Sequence, residues 1–238
     1  MKNLVILSGA GMSAESGIST FHDAGGLWDK YPVEQVATPE GYARNPELVI
    51  NFYNERRKQL LDVVPNAGHL GVADLERDFN VTVVTQNVDN LHERAGSTHV
   101  IHLHGELTKV CSSRDPYNPH FVKELAPEEY EVKLGDKAGD GTQLRPFIVW
   151  FGESVPEIET AIRYVEQADI FVIIGTSLNV YPAAGLLNYV PRAAEVYLID
   201  PKPVDTHVMR PIHVIQKGAS EGVKELKALL AATQPPLL

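Results

Sequence analysis

The chain has 238 residues, a formal net charge of −10 and one cysteine, Cys111. The acidic balance, with no lysine or arginine cluster, argues against nucleic acid or an anionic membrane as a main partner. A lone cysteine excludes an intrachain disulfide framework and a cysteine-only zinc site, and no run approaches the roughly 18 apolar residues that cross a membrane. A cytoplasmic protein is expected.

The opening "MKNLVILSGAG" leads straight into a glycine turn rather than a cleavage site, so it reads as a first strand and not a signal peptide. Gly9-Ala10-Gly11-Met12-Ser13-Ala14 then satisfies the loose G-x-G-x-x-G/A pattern, a tight turn that lets backbone N–H groups approach a pyrophosphate. A nicotinamide dehydrogenase would continue into helix, strand and an acid about 20 residues on. Glu34 stands near that distance, but "FHDAGGLWDKYPVEQ" reads as neither a full helix nor a strand. The turn therefore leaves open whether hydride is carried or the dinucleotide serves other chemistry. Gly17-Ile18, Phe21 and Gly26-Leu27-Trp28 combine hinge glycines with apolar bulk, which suits either a loop closing over a ligand or one folded onto the core.

"PELVINFYNERRKQLLDVV" follows with Leu48, Phe52, Leu60 and Val63 near helical spacing. "VTVVTQN" is a buried strand with Gln86, Asn87 and Asp89 at and beyond its carboxyl end, where this class of sheet places ligands. In "HVIHLHG" strand alternation puts His102 and His104 on one face, with Ile101 and Leu103 on the other. The pair could bind a metal, though no third ligand is evident. Alternatively His104, at the strand's end before Gly105, is a general base near neutral pH. Residues 106–146 are polar and rich in Gly, Pro and Asp. "RPFIVWFGE" offers an exposed strand edge for an extended peptide. "PEIETAIRYVEQADI", opened by Pro156, is a helix. "IFVIIGTSL" ends in Gly175, Thr176 and Ser177, small donors for phosphate or ribose, and "EVYLID" ends in Asp200, suited to ribose hydroxyls. "IHVIQKGA" is a last strand, and "SEGVKELKALLAAT", opened by Ser220, a last helix.

Strands without polar alternation, alternating with helices, predict a doubly wound α/β fold: a Rossmann-like parallel sheet with helices on both faces. Residues 1–30, 66–105 and 147–238 would form it. Residues 31–65 and 106–146 would be two insertions making a small module.

Taken together, these residues resemble the sirtuins. The matches are Gly9-Ala10-Gly11-Met12-Ser13 with Ser16-Gly17-Ile18 and Phe21, Gly26-Leu27-Trp28, Thr85-Gln86-Asn87-Val88-Asp89-Asn90-Leu91-His92, His104-Gly105, Val149-Trp150-Phe151-Gly152-Glu153 and Gly175-Thr176-Ser177. The resemblance implies NAD consumed as co-substrate: the acyl-lysine carbonyl oxygen attacks the ribose carbon that bears nicotinamide, and the acyl group leaves on ADP-ribose. It implies His104 as base, with Asn87 and Asp89 lining the nicotinamide and ribose pocket. Phe21 would shield the reactive carbon, and His22, Trp28, Gln86, Asp200 and Ala219 would join the turn residues around NAD. Val149, Phe151, Gly152 and Glu153 would hold an extended acyl-lysine peptide. Tyr53 and Arg56 match the Tyr-x-x-Arg pair of class III sirtuins, a clamp for acyl chains ending in carboxylate. Guanidinium binds carboxylate bidentately, and i, i+3 residues share a helix face.

The sequence also departs from the family pattern. Cys111 stands where the first zinc-ribbon cysteine would be, and no partner cysteine follows; with only His120 nearby, no zinc is expected. The module would rest on hydrogen bonds and contacts from Phe121, Tyr130 and Leu134. His22 replaces the usual arginine, and Asp200 the common asparagine. A sirtuin-fold ADP-ribosyltransferase or NAD glycohydrolase, or a weakly active NAD-sensing protein, are the alternatives.

Overall fold

The structure, a computed structural model, describes residues 1–18, 30–206 and 208–233. Its strands in chain order are β1 (Asn3–Ser8), β2 (Asn80–Thr85), β3 (Val100–His102), β4 (Gly105–Ser112), β5 (Lys123–Glu124), β6 (Leu144–Ile148), β7 (Ile170–Ile174), β8 (Glu195–Ile199) and β9 (His213–Ile215). The helices are α1 (Gly11–Ala14), α2 (Val33–Val36), α3 (Pro39–Arg44), α4 (Pro46–Leu61), α5 (Ala67–Asp74), α6 (Leu91–Arg94), α7 (Ile158–Val165) and α8 (Ala219–Thr233). Among the described residues, no helix is long and apolar enough to cross a membrane.

The apolar runs pair in parallel in the order β3-β2-β1-β7-β8-β9. Period-2 alternation sends Val5 and Leu7 to one face, against Ala161 and Val165 of α7, and Leu4 and Ile6 to the other, against Val72 of α5 and Val223 and Leu226 of α8. Both faces are covered, which is why these strands read as unbroken apolar runs. Each fully buried Leu, Ile or Phe side chain contributes roughly 1.5–3 kcal/mol. β1 lies between β2 and β7, so the chain reverses its direction of travel across the sheet there. A crevice outside the carboxyl ends of β1 and β7 is the expected ligand position.

The helix expected around residues 46–65 is α4. Asn45 accepts the Leu48 N–H at its start, and Pro46 fills the first position. Against it packs an antiparallel sheet, β5-β4-β6. Asn54 exchanges two hydrogen bonds with the Val132 backbone, 2.7 and 2.9 Å, and Arg57 donates to the Tyr130 carbonyl at 2.8 Å. The apolar contribution comes from Ile50, Val110 and Val132; Leu134, expected to help, is exposed. A second polar knot closes the far end. Asp140 accepts from the Ser112 hydroxyl at 2.6 Å and from the Thr142 hydroxyl and amide at 2.7 and 3.0 Å, tying β4 to the loop before β6.

Two helix starts shift from their expected positions. α7 begins at Ile158 with Glu157 flanking it, two residues after Pro156, and α8 begins at Ala219 rather than Ser220. A larger correction concerns "VWFGE". β6 ends at Ile148, and the amides of Val149 and Phe151 donate to the carbonyls of His104 and Ala37 at 2.9 and 3.0 Å. The segment is a loop whose Val149, Trp150, Phe151 and Glu153 amides are already engaged, not a strand edge.

Candidate active site

The glycine turn and the end of β7 meet backbone to backbone. Gly9 N–H donates to Ile174 O at 2.9 Å and Gly11 N–H to Gly175 O at 2.8 Å. A Cβ at Gly9 would lie 2.6 Å from Thr176 Cβ, and one at Gly11 would lie 2.7 Å from Gly175 Cα. Gly175 itself has φ +61°. These glycines let two strand ends close on each other. The Gly9 and Gly11 amides are engaged in this junction. From Gly9 to Ser13, Ala10 is the position whose N–H has no acceptor among the described residues.

The loop after β2 plugs into this junction. Asn87 Nδ2 donates to Gly9 O at 2.9 Å and to Ser13 Oγ at 3.2 Å, which leaves Oδ1 as the part of the amide turned to other use. Asp89 is buried; its Oδ2 accepts from Ser13 Oγ at 2.8 Å and its Oδ1 from the Leu91 amide at 3.0 Å. Gln86 Nε2 donates to Thr176 Oγ1 at 3.0 Å, joining the loop to β7. Ser177 is exposed beyond it. Asp200 follows β8 and accepts the Lys202 amide at 2.8 Å; partial burial raises its carboxyl above the ordinary value. Ala219 is buried at the start of α8.

Consecutive carbonyls of this loop are each held by a histidine. His104 Nδ1 lies 3.2 Å from Gln86 O, and His102 Nδ1 lies 3.0 Å from Asn87 O. A carbonyl only accepts, so Nδ1 carries the hydrogen in both, and neutral His104 keeps its lone pair on Nε2. Burial lowers the His104 pKa, which favours that neutral form. Gly105 has φ +84°, and a Cβ there would stand 2.1 Å from Phe147 O, so only glycine lets the chain turn from His104 into β4.

His102 departs from the sequence reading in its partners. Its Nε2 contacts Glu93 Oε1 at 2.5 Å, and Glu93, His102 and Glu106 bring ligand atoms within 4.8 Å of one another. Burial lowers the His102 pKa, but the Glu93 hydrogen bond and the charges of Glu93 and Glu106 outweigh it, and the net shift is upward. With Lys109 on Glu106 at 2.6 Å, these groups neutralise one another as ion pairs.

Sequence reasoning missed His69 and Asn66. Asn66 caps α5 while its amide N–H donates to His69 Nδ1 at 3.2 Å, so His69 Nε2 carries hydrogen toward Ser13 Oγ at 3.4 Å. A directed chain, His69 to Ser13 to Asp89, results. The signal was present in "PNAGHL", an Asn-x-x-His capping pattern. His92 is buried with Nε2 3.0 Å from Ser8 Oγ.

Tyr53 and Arg56 share a face of α4, with the Arg56 guanidinium carbon 5.8 Å from the Tyr53 ring centroid. Burial pushes the guanidinium down from its ordinary value, against the opposing fields of Tyr53 and Asp89. Tyr53 Oη accepts from Trp150 Nε1 at 3.1 Å. Of the "VWFGE" residues, Phe151 is half-exposed and Gly152 has φ +91°. Glu153 turns inward: it binds Arg145 at 2.8 and 3.1 Å and accepts the Trp150 amide at 2.7 Å. Its carboxylate holds the loop's shape rather than standing free for a peptide. Phe21, His22 and Trp28 lie outside the described residues.

A parallel sheet whose order reverses at β1, with an amide, a carboxylate and an imidazole gathered beyond its carboxyl ends, defines a Rossmann-like fold with a small antiparallel sheet added. The Sir2 family profile matches residues 9–182. An NAD-dependent protein deacylase of Bacteroides thetaiotaomicron is 84% identical over 97% of this chain and 98% of its own length. One from Helicobacter pylori is 50% identical over 95% and 96%. Among solved structures, a Sir2 homologue–NAD complex superposes with a TM-score of 0.83 at 40% identity, covering 98% of this chain and 91% of that one. A mutant Sir2 homologue bound to ADP ribose gives 0.84 at 37% identity, covering 98% and 95%. The chain belongs to the Sir2 family, the sirtuins.

Proposed function

We propose that the protein is an NAD-dependent protein-lysine deacylase that favours acyl chains ending in a carboxylate, succinyl and malonyl above acetyl. NAD-dependent deacylation follows from family membership and from the relatives' shared activity. The observation behind the acyl preference is the Tyr53–Arg56 pair, a phenol and a guanidinium on one helix face with Asp89 close enough to act on the guanidinium. In a site removed from water such a pair binds carboxylate far better than it binds a methyl group.

When bound, NAD accepts the acyl group and loses nicotinamide. The chain's residues serve that exchange from fixed positions. The Ala10 amide and the Thr176 and Ser177 hydroxyls bind pyrophosphate or ribose, and Asp200 accepts from ribose hydroxyls. Asn87, pinned through Nδ2, presents Oδ1 to the nicotinamide side. His104, its Nδ1–H held by Gln86 O, takes the ribose hydroxyl proton on Nε2. The acyl-lysine peptide lies extended along Val149, Phe151 and Gly152, with Glu153 shaping that loop from behind. Residues 31–65 and 106–146 act as the inserted substrate module.

That module stands without zinc in this reading. The family's structural zinc needs thiolates, whereas the one cysteine is buried against Pro146 O and burial pushes its thiol up to about 12.

Deacylation of succinyl-, malonyl- and acetyl-lysine peptides by wild type and Arg56→Met, with products identified by mass, tests the proposal. Succinyl kcat/KM is expected to fall at least about 10-fold in the variant relative to acetyl. An unchanged preference refutes the clamp. Free ADP-ribose or ADP-ribosylated protein in place of acyl-ADP-ribose refutes deacylation.

A further inference from the structure

We propose that Trp150 is a positioning residue for acyl selection: its indole N–H holds the Tyr53 hydroxyl as an acceptor and so directs the phenol hydrogen to the acyl carboxylate. The inference rests on the carboxylate-clamp reading of Tyr53 and Arg56.

An indole N–H can only donate, so the 3.1 Å contact between Trp150 Nε1 and Tyr53 Oη makes the phenol oxygen the acceptor. A phenol hydrogen prefers the plane of its ring, on one side of the oxygen or the other. A donor seated on one side places the hydrogen on the opposite side. Among the described residues, no acceptor takes that hydrogen. Tyr53 is buried, so water does not compete for it. The phenol is thus a donor of fixed direction, one turn of helix before Arg56.

Trp150 is itself held from three directions. The Arg145 guanidinium carbon stands 3.6 Å from the indole centroid, and the Tyr42 ring is 5.2 Å away. Glu153 grips Arg145 with both oxygens and also takes the Trp150 amide. A buried indole N–H needs an acceptor, and a backbone carbonyl would serve for packing alone. Here the acceptor is the one hydroxyl in the clamp. An acetyl group offers no carboxylate to the directed hydrogen, so the arrangement affects succinyl and malonyl chains selectively.

The test is Trp150→Phe, which keeps a ring under Arg145 and removes the N–H, assayed on succinyl- and acetyl-lysine peptides beside Tyr53→Phe and the double variant. The succinyl-over-acetyl ratio of kcat/KM is expected to fall about 5- to 10-fold, through KM for the succinyl peptide. In the Tyr53→Phe background the same change should cost nothing further, because the hydroxyl it directs is gone. An unchanged ratio, or full additivity of the two variants, overturns the inference. Failure of the clamp itself shows separately, as a wild type without succinyl preference or an Arg56→Met that keeps it. Should Trp150→Phe not fold, wild-type NMR decides. The chain has two tryptophans, so the Trp150 indole proton is readily assigned. It should shift on adding succinyl-lysine peptide with ADP-ribose and not with acetyl-lysine peptide; equal shifts overturn the proposal.

Discussion

Replacing Gly9 by alanine separates two roles that a glycine turn can have. If Gly9 served only close approach of a ligand, Gly9→Ala would leave the free protein's stability intact and weaken NAD binding alone. The geometry predicts otherwise. The new methyl would stand 2.6 Å from Thr176 Cβ and 2.7 Å from Gly175 O, about 1 Å inside ordinary contact. Relief requires the ends of β1 and β7 to part, stretching the Gly9–Ile174 and Gly11–Gly175 hydrogen bonds from 2.9 and 2.8 Å. Each bond is worth about 1 kcal/mol net, and overpacking adds about 1–3 kcal/mol. Loss of chain freedom in the unfolded state returns about 0.4–1 kcal/mol. The net destabilisation is about 2–4 kcal/mol, a fall in Tm on the order of 10 °C for a chain of this size. Thermal unfolding of the ligand-free variant measures it. A Tm within about 2 °C of wild type, with NAD binding lost, would show that the junction tolerates the methyl and that the glycine serves the ligand.

Two further outcomes follow from the titrating groups. Burial lowers the His104 pKa, so its basic form persists below the ordinary histidine value of 6.5; kcat/KM for deacylation should hold as pH falls through 6.5 and drop only below it, and an acid limb above 6.5 in the pH–rate profile would remove His104 as the base. Asp140 is held at about 2 by the Ser112 and Thr142 hydroxyls, so its contribution to the small module is present above the ordinary carboxylate value and is lost as pH falls toward 2. Asp140→Ala should therefore speed limited proteolysis within residues 112–144 at neutral pH, while a chelator leaves wild-type melting unchanged. Stoichiometric zinc in purified protein, or a chelator-dependent Tm, would refute the metal-free knot.

The sheet was legible because both of its faces are covered. Leu4 to Leu7 and Ile170 to Ile174 contain no polar residue, and few arrangements other than a parallel sheet between helix layers bury such runs. α4 was legible because Asn45 and Pro46 mark its start and its apolar spacing is helical. Residues 106–146 were less so. They looked poor in core because their stability comes from Asn54, Arg57 and Asp140 binding backbone and hydroxyl groups, and such pairing leaves no periodicity. Glu153 misled for a related reason: its place beside the expected peptide edge is evident in sequence, but its turn inward onto Arg145 depends on a partner eight residues earlier across a bend. His69 was missed because its partner, Ser13, lies 56 residues away.

What each site residue offers a ligand is what remains after its internal bonds are counted, and this is where structure exceeds sequence. Asn87 is an amide in the sequence; in the fold both contacts of its nitrogen are engaged and only Oδ1 is left. His104 is an imidazole of either tautomer until Gln86 O claims the Nδ1 hydrogen and leaves a base at Nε2. Tyr53 is a phenol that can donate or accept until Trp150 takes the acceptor side. Gly9 and Gly11 lose their amides to the end of β7 and to Gly175 just beyond it, while the Ala10 amide between them has no acceptor among the described residues. The remainder is an N–H, an acceptor oxygen, a basic nitrogen and a directed hydroxyl hydrogen. Those are the complements of an anionic linker, an amide, a ribose hydroxyl and a carboxylate. A dehydrogenase needs the first two of these complements. The last two serve the proposed deacylation of acid-terminated acyl chains, and they come from segments, β4's approach and α4, that no glycine turn foretells.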